Sequence, residues 1–168
     1  MAVRHRLIKA SPARVWEVLA DGDRYAEWVV GTASSRELRG RWPQKGASIA
    51  YRIRMGPFQV GNETVVRSCR AGSLLELEAK AGPLGTARIS IEVREWGEHS
   101  LVRVDEHPLQ GAGGTLHNMG FEALIRLRHR AMLARLAHVC EEPPREGRRE
   151  ARRGPSARTA GAGGAGHA

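Results

Sequence analysis

The sequence is poor in cysteine and in aromatic residues, and it contains no long apolar run. Its 168 residues include two cysteines, and aromatic residues make up 5%. Cys69 and Cys140 have no metal-ligand spacing, so we expect small apolar side chains in a reducing compartment. No run approaches the ~20 apolar residues of a membrane span, and residues 1–6 lack the apolar stretch of a secretory signal. We therefore expect a cytoplasmic protein without membrane insertion.

Lysine is also scarce, although the chain is basic. The formal net charge is +9, and 24 of the 27 basic residues are arginines. Such basicity favours anionic partners in general. The arginines are scattered over almost every predicted element, however. A protein of the RNA-recognition-motif type would also need aromatic residues on a sheet face. The sequence thus disfavours a nucleic-acid partner. It leaves the oligomeric state open, with a homodimer as one option.

The length predicts one folded domain followed by a tail. Residues 1–142 carry all the regular apolar patterns and are enough to bury a core without a disulfide or metal. Residues 143–168 begin with two prolines and continue as arginine, glycine and alanine with almost no large apolar residue. Such a segment cannot offset its ordering entropy by burial, so we expect a disordered basic tail.

The N-terminal region predicts a strand that runs directly into two short helices. Val3–Lys9 alternates weakly, as a strand does. Ser11 is a good N-cap and Pro12 suits the first helical position. The helical spacing then rests on Val15, Val18 and Leu19. Asp21–Asp23 ends this helix, and a second turn carries the chain to Trp28.

The middle of the chain predicts an antiparallel meander with one buried face. Alternation of apolar and polar residues predicts strands over Ser48–Met55, Leu74–Ala81, Thr86–Glu95 and Leu101–His107, and a weaker edge strand over Ala33–Arg39. The predicted inward residues are Ile49, Tyr51, Ile53, Met55, Leu75, Leu77, Ala79, Ala87, Ile89, Ile91, Val93, Val102 and Val104. For Phe58–Cys69 both registers remain open, because each face mixes apolar and polar side chains.

A long helix is predicted from Leu116 to Val139, with Thr115 as its N-cap. Its apolar positions form two faces rather than one stripe. The first half contributes Leu116, Gly120, Ala123, Leu124 and Leu127, and the second half contributes Met132, Leu133, Leu136 and Val139. We interpret this rotation as a front half over a cavity and a back half packed on the sheet.

Several segments, in this order and spacing, carry a family resemblance. They are Ala10–Trp16 with Asp21 and Trp28, the turn from Trp42-Pro43 to Gly46, Val104–Gly111 and Arg126–Ala137. Over residues 3 to 142 the chain resembles the polyketide cyclase/dehydrase-like branch of the START-related, Bet v 1-like superfamily, often called SRPBCC proteins. The resemblance implies an α+β helix-grip fold, in which a curved antiparallel sheet of about six to seven strands, two short helices after the first strand and one long C-terminal helix enclose an apolar cavity.

The resemblance implies a ligand class but no reaction, because one scaffold serves many functions. We expect a hydrophobic or aromatic small molecule, such as a lipid, quinone or polyketide, and no cofactor. The residues expected to line the cavity are Trp28, Tyr51, Ile53, Leu77, Ile91, Val104, Glu106, Leu116 and Gly120. The alternatives are a cofactor-free polyketide cyclase or dehydratase, and a protein that binds a partner through its basic tail.

Glu106 and Tyr51 are the candidate catalytic residues. By strand alternation Glu106 points inward, where it could act as a general base or anchor a ligand hydroxyl. The competing interpretation is a strand-end carboxylate paired with one of the arginines. The Tyr51 hydroxyl could orient a ligand or act as an acid, and the competing interpretation is a core tyrosine with a satisfied hydroxyl. The histidines show no metal spacing, so no metal site is predicted.

Overall fold

The computed structural model describes residues 2–55, 58–80, 86–110 and 119–143. In chain order its elements are β1 (Ala2–Ile8), α1 (Pro12–Leu19), a 3₁₀ turn (Gly22–Arg24), α2 (Tyr25–Trp28), β2 (Thr32–Arg39), β3 (Ser48–Met55), β4 (Phe58–Arg70), β5 (Leu74–Lys80), β6 (Thr86–Trp96), β7 (His99–Gln110) and α3 (Met119–Glu141). This order confirms the predicted α+β arrangement.

The two short helices begin where the sequence predicts. The Ser11 side chain accepts a hydrogen bond from the backbone N–H of Arg14 at 3.3 Å, and Pro12 occupies the first turn of α1. The Asp21 carboxylate then accepts from the backbone N–H of Asp23 at 3.1 Å and caps the 3₁₀ turn. These side chains satisfy N–H groups that a helix start leaves unpaired, so α1 can be short and still well defined.

The seven strands form one antiparallel sheet in the order β1-β7-β6-β5-β4-β3-β2. From β2 to β7, neighbours in the chain are neighbours in the sheet, as in a meander. The first strand breaks this rule, because it pairs with β7 and so joins the two ends of the domain. The polar strand β2 lies at the opposite edge, which confirms its predicted position.

One face of the sheet is buried and the other carries charge. Along β5, Leu75, Leu77 and Ala79 are buried, and the pattern continues on β6 and β7. The buried members there are Ile89, Ile91, Val93, Val102 and Val104. The opposite face carries cross-strand ion pairs, for example between Arg67 and Glu78 at 2.8 Å. The predicted alternation is therefore confirmed for these strands.

The structure resolves the register of β4, which the sequence leaves open. Thr64 and Val66 are buried, so the even-numbered residues face the core here. A register irregularity against β5 lies between Val66 and Ser68. Such an extra residue shifts the alternation within one strand. This shift is one reason why neither the odd-numbered nor the even-numbered residues of β4 face the core along the whole strand.

The long helix covers the buried face at its β1 side and contacts α1, α2 and β1. Its predicted inward residues Met132, Leu133, Leu136 and Val139 are buried. The predicted start at Thr115 and Leu116 and the tail from residue 144 lie outside the described residues, as do the side chains of the helix before residue 128. Among the described helices, none is long and apolar enough to cross a membrane.

We predict that Leu75→Ala lowers the free energy of unfolding by roughly 2–5 kcal/mol, because a fully buried leucine leaves a cavity when truncated. The matched control is Leu38→Ala, which removes the same atoms from a side chain that is 47% exposed. That change should stay within about 0.5 kcal/mol. Urea denaturation of both variants measures the difference. Equal losses would contradict the assignment of the buried face.

Candidate functional site

A carboxylate and an imidazole meet inside the core between β7 and α3. Glu106 lies on β7, opposite Ile89 of β6, and is 7% exposed. His129 lies on α3 and is 1% exposed. The His129 Nε2 atom forms a short hydrogen bond with Oε2 of Glu106. Glu106 therefore points inward as predicted, and its partner among the described side chains is a histidine.

The helical repeat explains why His129 is buried within a charged stretch. Leu133, Leu136 and Cys140 follow it at intervals that place all four residues on one helix face, and all three are buried. The flanking Arg130 is exposed. Sequence reasoning missed His129 because the run from residue 126 to 130 is mostly arginine. The signal that could have found it is the apolar face extended back by one turn.

The other ring nitrogen of His129 is left unpaired by the described residues. Its Nδ1 atom is buried and makes no hydrogen bond among the described residues. When Glu106 is a carboxylate it can only accept, so Nε2 is then the donor of this hydrogen bond. In the neutral ring, Nδ1 then carries a lone pair and is an acceptor. The pair thus presents one unused acceptor inside the protein.

A second polar group lies between the short helices and β3 and β4. The Tyr25 hydroxyl and the Thr64 hydroxyl are hydrogen-bonded at 3.0 Å. The Tyr25 ring packs against Trp28 at 5.1 Å, Trp42 at 5.9 Å and Tyr51 at 5.5 Å between ring centroids. We call these four residues the aromatic cluster. It forms a buried wall with two phenolic hydroxyls, which is a common way to combine apolar surface with polar handles.

Burial raises the pKa of the Tyr51 phenol above its ordinary value, and Glu106 adds to this effect. A hydrogen bond from Thr64 and the charge of Arg128 act in the opposite direction. Three strands lie between β3 and β7 in the sheet. The influence of Glu106 on Tyr51 therefore acts across the covered face rather than between paired strands. Glu106 and Tyr51 thus lie on the same covered face of the sheet.

Burial is also the largest cause of the raised pKa of Tyr25. Both phenols consequently remain protonated at neutral pH. A protonated phenol can donate its hydroxyl hydrogen to an oxygen, whereas Nδ1 of a neutral His129 ring can only accept. Together these groups could bind the two ends of an oxygenated ring, or move a proton onto one atom and off another.

The predicted lining residues fall into two sets. Six of them are buried in the structure: Trp28, Tyr51, Leu77, Ile91, Val104 and Glu106. Three cannot be placed as lining residues. Leu116 lies outside the described residues, and for Ile53 and Gly120 the structure describes only the backbone, in β3 and α3. Within the described part of the chain, no group of three or more His, Cys, Asp and Glu side chains could hold a metal ion.

A family model described as "Polyketide cyclase / dehydrase and lipid transport" matches residues 2–141. No curated protein matches the chain. Among solved structures, the crystal structure of Ara h 8.0201 is similar with a TM-score of 0.67 at 8% identity, covering 83% of this chain and 95% of that one. A protein from Chromobacterium violaceum is similar with a TM-score of 0.66 at 14% identity, covering 84% and 98%. At these identities the structural likeness shows the fold alone.

We predict that neither tyrosine of the folded protein ionises at its usual pH. Tyr25 and Tyr51 are the two tyrosines of the chain, and both have a pKa above the ordinary value of 10.0. The native protein should therefore show less tyrosinate ultraviolet absorbance at pH 10 than the urea-unfolded chain, which should be about half ionised there.

The same shift has a consequence for stability. Because the phenols are harder to ionise in the folded state, their contribution to stability is fully present below pH 10 and is lost as the pH rises above it. A native titration that overlays the unfolded one would contradict the burial of these hydroxyls.

Proposed function

Because this chain belongs to the polyketide cyclase / dehydrase and lipid transport family, we propose that it binds a hydrophobic or aromatic small molecule between α3 and the buried face of the sheet. Family membership confirms the resemblance to SRPBCC proteins, and the seven-stranded sheet with its long C-terminal helix confirms the helix-grip fold. The family is one of hydrophobic-ligand binding and cyclase proteins. The ligand itself is our proposal.

The observation that carries the proposal is the set of polar groups on an otherwise apolar, covered face. Glu106, His129, Tyr25 and Tyr51 are all buried, and Nδ1 of His129 is left without a partner among the described residues. Small-molecule sites typically combine apolar walls with a few convergent polar groups. Burial of the ligand's apolar surface would supply most of the affinity, at roughly 25 cal/mol per Å². The polar groups would set its orientation.

We propose that Trp28, Tyr51, Leu77, Ile91, Val104 and Glu106 contribute to this site, together with Ile53, Leu116 and Gly120. The first set is supported by burial on the covered face. We also propose that the protein acts in the cytoplasm, which is consistent with its two free cysteines.

A cyclase or dehydratase of poly-β-ketone chains is the second candidate, and the contact between Glu106 and His129 favours it. A carboxylate that holds an imidazole in one tautomer is a recurrent way to make a general base. In this mechanism Nδ1 of His129 takes a proton from a carbon between two carbonyl groups. The resulting enolate attacks a second carbonyl, and the Tyr51 hydroxyl donates a proton to the new alkoxide. For loss of water, the Tyr51 phenolate takes the next proton from the same carbon and protonated His129 gives its proton to the departing hydroxide, which restores both groups without a cofactor.

The first experiment is extraction of the purified protein with organic solvent, followed by mass spectrometry. We predict a copurified apolar compound whose occupancy falls in Tyr51→Phe, because that variant loses a polar handle but keeps the wall. Glu92→Gln is the control, since Glu92 lies on the opposite, charged face and pairs with Arg94. Absence of any extracted compound, together with no binding of added lipids, quinones or polyketides, would contradict the proposal.

The second experiment separates a carrier from an enzyme. In Glu106→Gln the amide oxygen can still accept from Nε2 of His129, so the pair keeps its shape but loses its charge. If the protein is a cyclase, we predict at least about a 100-fold slower cyclisation of a poly-β-ketone thioester, with its binding changed by less than about threefold. Rates are compared in single-turnover assays. An equal loss of binding and turnover would favour the carrier function.

A further inference from the structure

The inner face of the domain contains a ring nitrogen that the described residues leave unpaired. Nδ1 of His129 is enclosed and has no partner among the described residues. Nε2 of the same ring is committed to Glu106. Buried polar atoms in folded proteins are nearly always paired, so an unpaired one indicates a missing partner.

For a neutral ring the missing partner must be a donor, because the contact with Glu106 then places the ring hydrogen on Nε2. With Nε2 donating to the carboxylate, Nδ1 offers only its lone pair. Among the other buried polar groups, the hydroxyls of Tyr25 and Thr64 are hydrogen-bonded to each other, and Nε1 of Trp28 makes no hydrogen bond among the described residues, to Nδ1 of His129 or to any other acceptor. The charge of Arg128 also reaches this interior and lowers the pKa of Tyr51. Because Glu106 acts on the same phenol in the opposite direction, the missing donor need not carry a charge, and a neutral hydroxyl is sufficient.

We propose that Nδ1 of His129 accepts a hydrogen bond from a hydroxyl group of the ligand, and that the site therefore selects phenols or enols over the same skeletons without a free hydroxyl. This inference rests on the proposed ligand-binding function and narrows its ligand class. His129 is then the residue that determines specificity, and Glu106 is a positioning residue that acts through it.

The test uses a pair of probes that differ in one hydrogen-bond donor. β-Naphthol carries a phenolic hydroxyl, and its methyl ether has nearly the same shape without the donor. Titration of the full-length protein, followed by calorimetry or probe fluorescence, gives both dissociation constants. We expect β-naphthol to bind about tenfold more tightly than the ether, as for one hydrogen bond to a buried acceptor that is otherwise unpaired.

Two variants separate the two ring nitrogens. In His129→Gln the amide NH₂ group stands near the place of Nε2 and can still donate to Glu106, but no acceptor stands at Nδ1. In His129→Asn the amide oxygen stands near the place of Nδ1. We expect the preference for β-naphthol to fall below about twofold in His129→Gln and to persist in part in His129→Asn. His138→Gln is the matched control, because the His138 side chain is 77% exposed, and it should keep the wild-type preference.

The outcomes of these titrations distinguish the inference from the proposed function. Equal binding of the two probes to the wild type would overturn the inference while leaving the proposed function standing, and it is also the result expected if a fixed water occupies Nδ1. Binding of neither probe would count against both. A preference that survives unchanged in His129→Gln would overturn the inference as well.

A second measurement does not depend on any variant folding. Nitrogen NMR of the wild type with ¹⁵N-labelled histidine reports the hydrogen-bonding state of each ring nitrogen. We expect one buried histidine with an unprotonated, unbonded Nδ1 whose signal shifts when β-naphthol is added and stays unchanged with the methyl ether. A protonated Nδ1, or the same response to both probes, would overturn the inference.

Discussion

The buried face of the seven-stranded sheet imposes the constraint from which the rest of the structure follows. Apolar residues on every second position of β5, β6 and β7 leave a wide surface that must be removed from water. The sheet alone cannot do this, since its strands form a single layer. The two short helices after β1 and the long helix α3 supply the second layer, and pairing of β1 with β7 brings them to the same side.

Polar groups on such a face are stable only when they are paired, because an isolated buried carboxylate is expensive. The contact between Glu106 and His129 meets this requirement from both layers at once, one residue from the sheet and one from the helix. The pairing leaves Nδ1 of His129 without a partner in the part of the chain that the structure describes. The hydroxyls of Tyr25 and Thr64, by contrast, satisfy each other. The interior therefore contains one hydrogen-bonded pair, Tyr25 with Thr64, and one unpaired ring nitrogen, Nδ1 of His129. A bound molecule could supply the partner that this nitrogen lacks.

The sequence predicts most of the fold because the relevant patterns are local. Alternation along Leu75, Leu77 and Ala79 has a single interpretation, and the cap at Ser11 follows from chemistry within one turn. In β4 the alternation shifts at an irregularity, which no period of two can anticipate. The inward orientation of Glu106 is predictable from Val102 and Val104 on the same strand. Its partner lies 23 positions away in another element, and strand alternation does not predict contacts between elements.

The site is less predictable than the fold for the same reason. His129 stands among arginines, and its burial follows from the helix face that it shares with Leu133 and Leu136 rather than from its neighbours in sequence. Tyr25 belongs to a four-residue helix, which is too short for a periodic pattern to assign a face. Its place in the aromatic cluster depends on the packing of α2 on β3 and β4. Sequence periodicity does not predict which residues of separate elements come into contact.

The most direct measurement is a high-resolution crystal structure of the protein soaked with β-naphthol. The account predicts density for the ring between α3 and the buried face of the sheet, with its hydroxyl oxygen within hydrogen-bond distance of Nδ1 of His129 and with Nε2 still bound to Glu106. An interior filled completely by side chains, with no density there, would contradict it.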